Sequence, residues 1–278
     1  MSSQIAVRVD VANPGQYFAC CGLLELAHRM WPTVEGYFDE NIFRLGNGGR
    51  SADLMRALRK CDIANTMTKA QQRRRDELGA MGQKLVKADA ALEAEKKELD
   101  ARWRESPVVL GEPFGIRVDW FLDDRSGGKS FKTWAGQQSI IDIVTDLQRM
   151  MPLEDSDAEG WLNEVSSSDC VPLNFDSDLG GAGADVDIGF SFDPLKSSGL
   201  RVGMRPSLEL LAFLGLQRFR PADLDGLWEY GVWDRPASVE LAALASCGAV
   251  RRLTCKRYRF QLLYRTKYLK SFLPGRRM

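Results

Sequence analysis

Among 278 residues there is one histidine, His28. Nucleophilic catalysis needs a base held beside the nucleophile, most often histidine, so this scarcity leaves little room for such chemistry. His28 falls inside a helical stretch with Glu25 about one turn before it, the setting of an ordinary partly buried histidine. Paired cysteines are lacking too. The six stand at 20, 21, 61, 170, 247 and 255, with no CxxC spacing. Structural zinc requires four Cys or His ligands in paired spacing, so neither a metal nor any other cofactor is expected. Cys20 and Cys21 follow a helix start, where thiolate is favoured, but their apolar neighbours point to packing where helix meets sheet.

Phosphate-loop signatures are absent. The stretch SGGKS at 126–130 has the second half of one without the upstream glycine, and no GxGxxG occurs. Asp176, Asp178, Asp185, Asp187 and Asp193 lack the spacing of a calcium loop and read as a solvated segment. No run of 18 uncharged apolar residues exists, and MSSQIAVRVD has neither the basic start nor the apolar core of a signal peptide. A cytoplasmic protein with no membrane partner is the expectation. Acidic residues are missing from Ala249 to Met278, where ten Lys or Arg stand, although the whole chain balances 38 basic against 38 acidic residues. The charge is therefore polarised rather than low.

What is present reads as an α+β protein, a mixed helix and antiparallel-sheet body with one long projecting charged helix. Residues 5–11 alternate as a strand, Asn13-Pro14-Gly15 turns the chain, and a helix follows from Tyr17 until Pro32 stops it. Gly36–Leu45 reads as a second strand, and Ser51 caps a helix ending near Cys61. From about Met67 to Trp103, Leu78, Met81, Leu85, Leu92, Leu99 and Trp103 form one apolar stripe on a highly charged background, predicting a single long helix that meets a partner helix through Leu78, Leu85, Leu92 and Leu99. Later elements are strands at 108–110 and 114–122, a helix at 137–150, a short helix near Trp161, a strand at 186–192, helices from Pro206 and Ser238, and strands at 229–233 and 258–264. The division is 1–66 and 106–278 as the body and 67–105 as the projection.

Two stretches suit nucleic acid. In DDRSGGKSFKTWAGQQ, the cations Arg125, Lys129 and Lys132 share a glycine-bearing loop with Trp134, Gln137 and Gln138, so lysine and arginine can meet phosphate while amides or the indole approach a base. In CKRYRFQLLYRTKYLKSFLPGRR, a strand would set Arg257 and Arg259 opposite Tyr258 and Phe260, a basic face backing an aromatic one, with Arg265, Lys267 and Lys270 following.

The segments NPGQYFACCGLLELAHRMWP (13–32), TWAGQQS (133–139), RPSLELLAFLGLQRF (205–219), YGVWDRP (230–236) and YRFQLLYRTKYLKSFLP (258–274) together resemble the compact large-subunit family of type I-U, or I-G, CRISPR–Cas effector complexes. The resemblance implies a non-catalytic subunit of an RNA-guided surveillance complex. Such a subunit sits near the 5′ end of the guide RNA among the other effector subunits, contacts the duplex motif flanking the target DNA, helps part the strands and presents a surface to the helicase-nuclease. Two other readings stay open. One is a processing nuclease, for which His28 is the only histidine available; the other is a structural adaptor that bridges components through the long helix without touching nucleic acid.

Overall fold

A computed structural model describes residues 5–124, 128–136, 138–152, 158–167, 171–179, 203–264 and 270–278. The fold is α+β, and its paired strands are all antiparallel. Strand β1 (Ile5–Arg8) leads to α1 (Pro14–Met30), whose start is fixed locally. Asn13 stays extended, its side-chain oxygen accepts from the Gly15 and Gln16 amides at 3.0 and 3.3 Å, and Pro14 supplies the fixed φ of a first helical residue. The chain then forms β2 (Glu35–Asp39) and β3 (Ile42–Gly46), which join β1 in the order β1-β3-β2. The single strand expected over 36–45 is thus a hairpin, because Glu40 takes a positive φ of 52° and reverses the chain.

Helix α2 (Ser51–Lys60) has Arg50 rather than Ser51 at its cap, and β4 (Ile63–Asn65) follows. The expected long helix is instead three: α3 (Lys69–Ala80), α4 (Gln83–Ala88) and α5 (Ala90–Glu105). Gly82, at φ 79°, breaks the first from the second, and Asp89 caps the third by accepting from the Ala91 and Leu92 amides. The chain doubles back, so the apolar stripe closes on itself: Met67, Leu78 and Leu99 form a small buried cluster with Leu92 and Trp103 against it. Arg74 to Glu95 and Arg75 to Asp100 bridge the two long arms. Leu85, placed by the sequence in the same seam, is 66% exposed. Trp103 ties the unit to the body through its indole N–H, which donates to Asp142 at 3.3 Å. Accordingly Leu78→Ala should loosen this hairpin by about 2 kcal/mol, while Leu85→Asp should change stability by less than about 0.5 kcal/mol. Hydrogen exchange of the 69–105 amides is the check, and equal effects would overturn the folded-back arrangement.

Strand β5 (Val108–Leu110) pairs with β4 on one side and with β6 (Ile116–Val118) on the other, followed by a 3-10 turn at Trp120–Leu122, then α6 (Gly128–Phe131) and α7 (Ile140–Met150). Next come α8 (Ala158–Asn163), β7 (Ser166–Ser167), β8 (Gly203–Met204) and α9 (Pro206–Gly215). The strand expected at 186–192 lies outside the described residues. The final sheet, β14-β11-β10-β9, uses β9 (Ala222–Leu224), β10 (Leu227–Trp233), β11 (Thr254–Phe260) and β14 (Arg276–Arg277), with α10 (Val239–Ser246) between β10 and β11. A separate ribbon pairs β12 (Leu262–Tyr264) with β13 (Lys270–Phe272).

Helices α1 and α9 lie at the centre. Every residue of α1 from Pro14 to Ala27 and every residue of α9 is buried, which accounts for sequences apolar around most of the helix rather than on one stripe. Tyr17 stacks on Tyr230 with ring centroids 4.3 Å apart, and its hydroxyl donates to the Gly231 carbonyl at 2.7 Å. That contact joins the first helix to the last sheet. One apolar core draws on residues from Ile5 to Phe272.

Candidate nucleic-acid interface

The two basic stretches, well over a hundred residues apart in sequence, meet in space. Phe131 anchors the short helix α6 in the core between Trp228 and Phe272, with centroids at 4.7 and 4.8 Å. Strand β13 runs beside this helix. The Lys270 amide donates to the Thr133 carbonyl at 3.3 Å, and its ammonium donates to the Ser130 carbonyl at 2.7 Å. Lys129, Lys132 and Lys270 therefore share one corner.

The charges at this corner are crowded. Burial pulls the Lys132 ammonium below the usual lysine range, opposed by the carboxylate of Glu105 and reinforced by the positive charges of Lys270, Arg104 and Lys129. Burial alone lowers Lys270. Lys129 is raised by its hydrogen bond to Asp124, at 2.7 Å. The ammonium of Lys132 also lies 5.1 Å from the centroid of the Trp134 ring, and that of Lys270 lies 5.2 Å from Tyr264. A polyanion approaching the corner would relieve the mutual repulsion of the lysines, which favours binding there.

The aromatic offered to a ligand differs from the one the sequence suggested. Trp134 is only 4% exposed and packs edge-on against Trp120 and Phe121, at 5.8 and 5.3 Å, so it serves the core and has no face for a base. Tyr264 is 60% exposed beside Lys270. Its place two residues after the half-buried Leu262, on a ribbon rather than in the sheet interior, is what spacing alone did not reveal. Gln138 turns inward to its own loop, its side-chain oxygen accepting from the Ala135 amide at 2.9 Å. Arg125, Gln137, Arg265 and Lys267 lie outside the described residues.

The alternation expected on β11 is observed. Tyr258 and Phe260 are buried, while Arg257 and Arg259 face outward, where both bind Glu229 of β10 at 3.2 and 2.7 Å. Across the sheet Arg276 is in register with Arg259, and Arg259 with Glu229. One carboxylate therefore answers a row of guanidinium groups.

Three other candidates resolve into structure. Cys20 and Cys21 are fully buried, and burial pushes both thiols well up, so neither is a ready nucleophile. His28 faces Glu240, at 3.7 Å, whereas Glu25 is taken by Arg29 and Arg218. Asp176 is buried and saturated: it accepts from the Asn13 amide group at 2.7 Å, from Arg205 at 2.8 Å and from the Asp178 backbone at 3.1 Å. Asp178 accepts from Gln16 at 2.9 Å. These two aspartates lock the first corner to α9 rather than present themselves to a metal. Asp185, Asp187 and Asp193 lie outside the described residues. Among the described residues no group of three or more His, Cys, Asp or Glu is placed to hold a metal ion, and no helix is long and apolar enough to cross a membrane.

Beside Asp176, the carboxyl of Glu209 is wholly buried and accepts from the Phe175 and Asp176 amides at 3.2 and 3.3 Å. Burial, with the negative charge of Asp176 next to it, pushes its pKa up to about 8.

No protein-family model, curated protein or solved structure matches the chain.

Proposed function

We propose that this chain is the non-catalytic large subunit of a type I CRISPR RNA-guided surveillance complex, contacting target DNA beside the guide-paired region and helping to recruit the helicase-nuclease. The observation that carries the reading is the convergence of Lys129, Lys132 and Lys270 with the exposed ring of Tyr264 at one corner. Closely spaced ammonium groups match the phosphate backbone, and an exposed ring supplies a stacking surface. The sequence resemblance points the same way. The partners under this reading are guide RNA, target double-stranded DNA, the other effector subunits and the helicase-nuclease. A cytoplasmic location goes with it. The adaptor alternative loses its main support, because the leucine seam is used inside the hairpin.

The test is fluorescence anisotropy of duplex DNA with the purified chain, alone and with the guide-loaded complex, at several salt concentrations. Lys129→Glu with Lys132→Glu should weaken binding roughly 10- to 100-fold near 0.1 M salt and flatten the salt dependence by about two contacts, with the melting temperature unchanged. Unchanged affinity would discard the lysine corner as the contact. A complex that binds its target equally well without this chain would discard the function.

A further inference from the structure

The outward face of the β14-β11-β10-β9 sheet carries a cavity that the lysine corner does not include. It encloses about 550 Å³ and is lined by Leu227, Gln261, Leu273, Pro274, Arg259 and Arg276, among others. That volume falls within the range of about 300–1,000 Å³ typical of small-ligand sites. The sheet forms one wall: Arg259 of β11 and Arg276 of β14 stand in register on the same face, and Leu227 of β10 lies along it. The opposite wall is Leu273-Pro274-Gly275, the link from β13 to β14. This strap is fastened at both ends, with the Leu273 amide donating to the Gln261 carbonyl at 3.0 Å and the Gly275 amide to the Ala12 carbonyl at 2.6 Å. The cavity is therefore built into the fold.

Its chemistry is divided. Leu227, Leu273 and Pro274 give an apolar slot, which suits a flat uncharged group. Also in the lining, Arg259 is held in place by Glu229, while Arg276 has no ion pair among the described residues. The exposed Gln261 carries a side-chain amide that makes no hydrogen bond among the described residues and can donate to and accept from one partner at once. An apolar slot, a two-sided amide and a free guanidinium match, in order, a nucleobase, its hydrogen-bonding edge and the phosphate next to it. The 249–278 segment holds ten cations and no acid, and the neighbouring Glu229 is already paired with Arg257 and Arg259, which favours an anionic group here.

We propose that this cavity receives one unstacked nucleotide of a single strand, with the base in the apolar slot, Gln261 on its edge and Arg276 on its phosphate. The inference rests on the nucleic-acid reading above and adds to it a second site with a different substrate form. A paired base cannot enter, because its edge is occupied and its faces are stacked. The site therefore favours strands already parted.

The experiment compares the full chain with its Gln261→Ala, Arg276→Ala variant on a single-stranded 12-mer, as DNA and as RNA, and on the same sequence as duplex, by anisotropy at fixed salt. The variant should lose roughly tenfold or more on single strands and less than twofold on duplex, with an unchanged melting temperature. DNA and RNA arms that differ identify which strand is captured. An equal loss on both substrate forms, or none on single strands, would overturn the cavity assignment while leaving the lysine corner standing. A wild-type chain that binds neither form would overturn both. Competition by a glutamate decapeptide as strong as that by the oligonucleotide would reduce the site to a charge patch and overturn the proposal.

Discussion

Replacing Gly215 or Gly22 with alanine should destabilise the protein by about 3 kcal/mol or more, a fall in melting temperature of roughly 5–10 °C. In α1 and α9 these glycines let two backbones touch. A methyl group at Gly22 would overlap the Leu211 carbonyl, and one at Gly215 would overlap the Phe18 carbonyl and stand 2.7 Å from the Gly22 nitrogen. The obstacles are main-chain atoms within the buried stretches of two helices, so no side chain can swing aside. The helices must part, and the aromatic residues packed around them lose contact together. On an exposed helix the same change would add up to about 1 kcal/mol of stability, because alanine is the better helix former. The sign of the effect therefore separates close packing from mere propensity. The double variant should cost less than the sum of its parts, since the first methyl has already separated the helices for the second. Urea denaturation of the two singles and the double measures all three values, and a stabilised Gly215→Ala would refute the backbone contact.

The second large effect concerns pH. Glu209 holds a proton in the folded protein up to about pH 8, against about 4.5 for a free carboxyl. An acid whose folded pKa is raised binds more protons folded than unfolded between those two values. Its contribution is therefore complete below about pH 4.5 and is lost as pH rises through about 8. The difference is on the order of 5 kcal/mol across that window. Glu209→Gln keeps the shape and the acceptor for the Phe175 and Asp176 amides but cannot ionise. Its stability should be nearly flat from pH 5 to pH 8 where that of the parent falls. Parallel curves for the two proteins would show that the proton is not held there. The group sits where α9 begins, against Asp176, with Arg205 on the other side of that aspartate. Loss of the proton thus strains the junction that joins the first corner to the central helix pair.

These two sites also mark how far residue patterns reach. The Asn13-Pro14-Gly15 corner, the helix from Pro206 and the inside-outside alternation of β11 follow from capping, fixed φ and period-two spacing, which are local rules acting on adjacent residues. Gly22 looks like an ordinary flaw in a helix until the partner backbone is seen against it. The charged segment misled for a related reason: its leucines keep one stripe through Gly82 and Asp89, and a stripe does not say whether its partner is another molecule or the returning arm of the same chain. Gly82 is the local signal of the break, whereas Gly79 stays inside α3. At the basic corner the types of residue are legible, since Lys129, Lys132 and Lys270 all belong to the two basic stretches of the sequence. Which aromatic stood outside was not, because Trp134 and Tyr264 differ in exposure through contacts made by residues distant in sequence.

The strap that closes the cavity has a bearing on how the chain is made. Gly275 hydrogen-bonds Ala12, Tyr230 bonds Val11, and Phe272 packs in the core against Phe131 and Phe260, so the corner at residues 11–18 is completed by residues more than two hundred positions later. While a ribosome still holds residues 254–278, Phe18 lacks Phe260, one of the rings packed against it. Translation must therefore pass Phe272 before the centre can seal, and until then the nascent chain exposes apolar and aromatic surface.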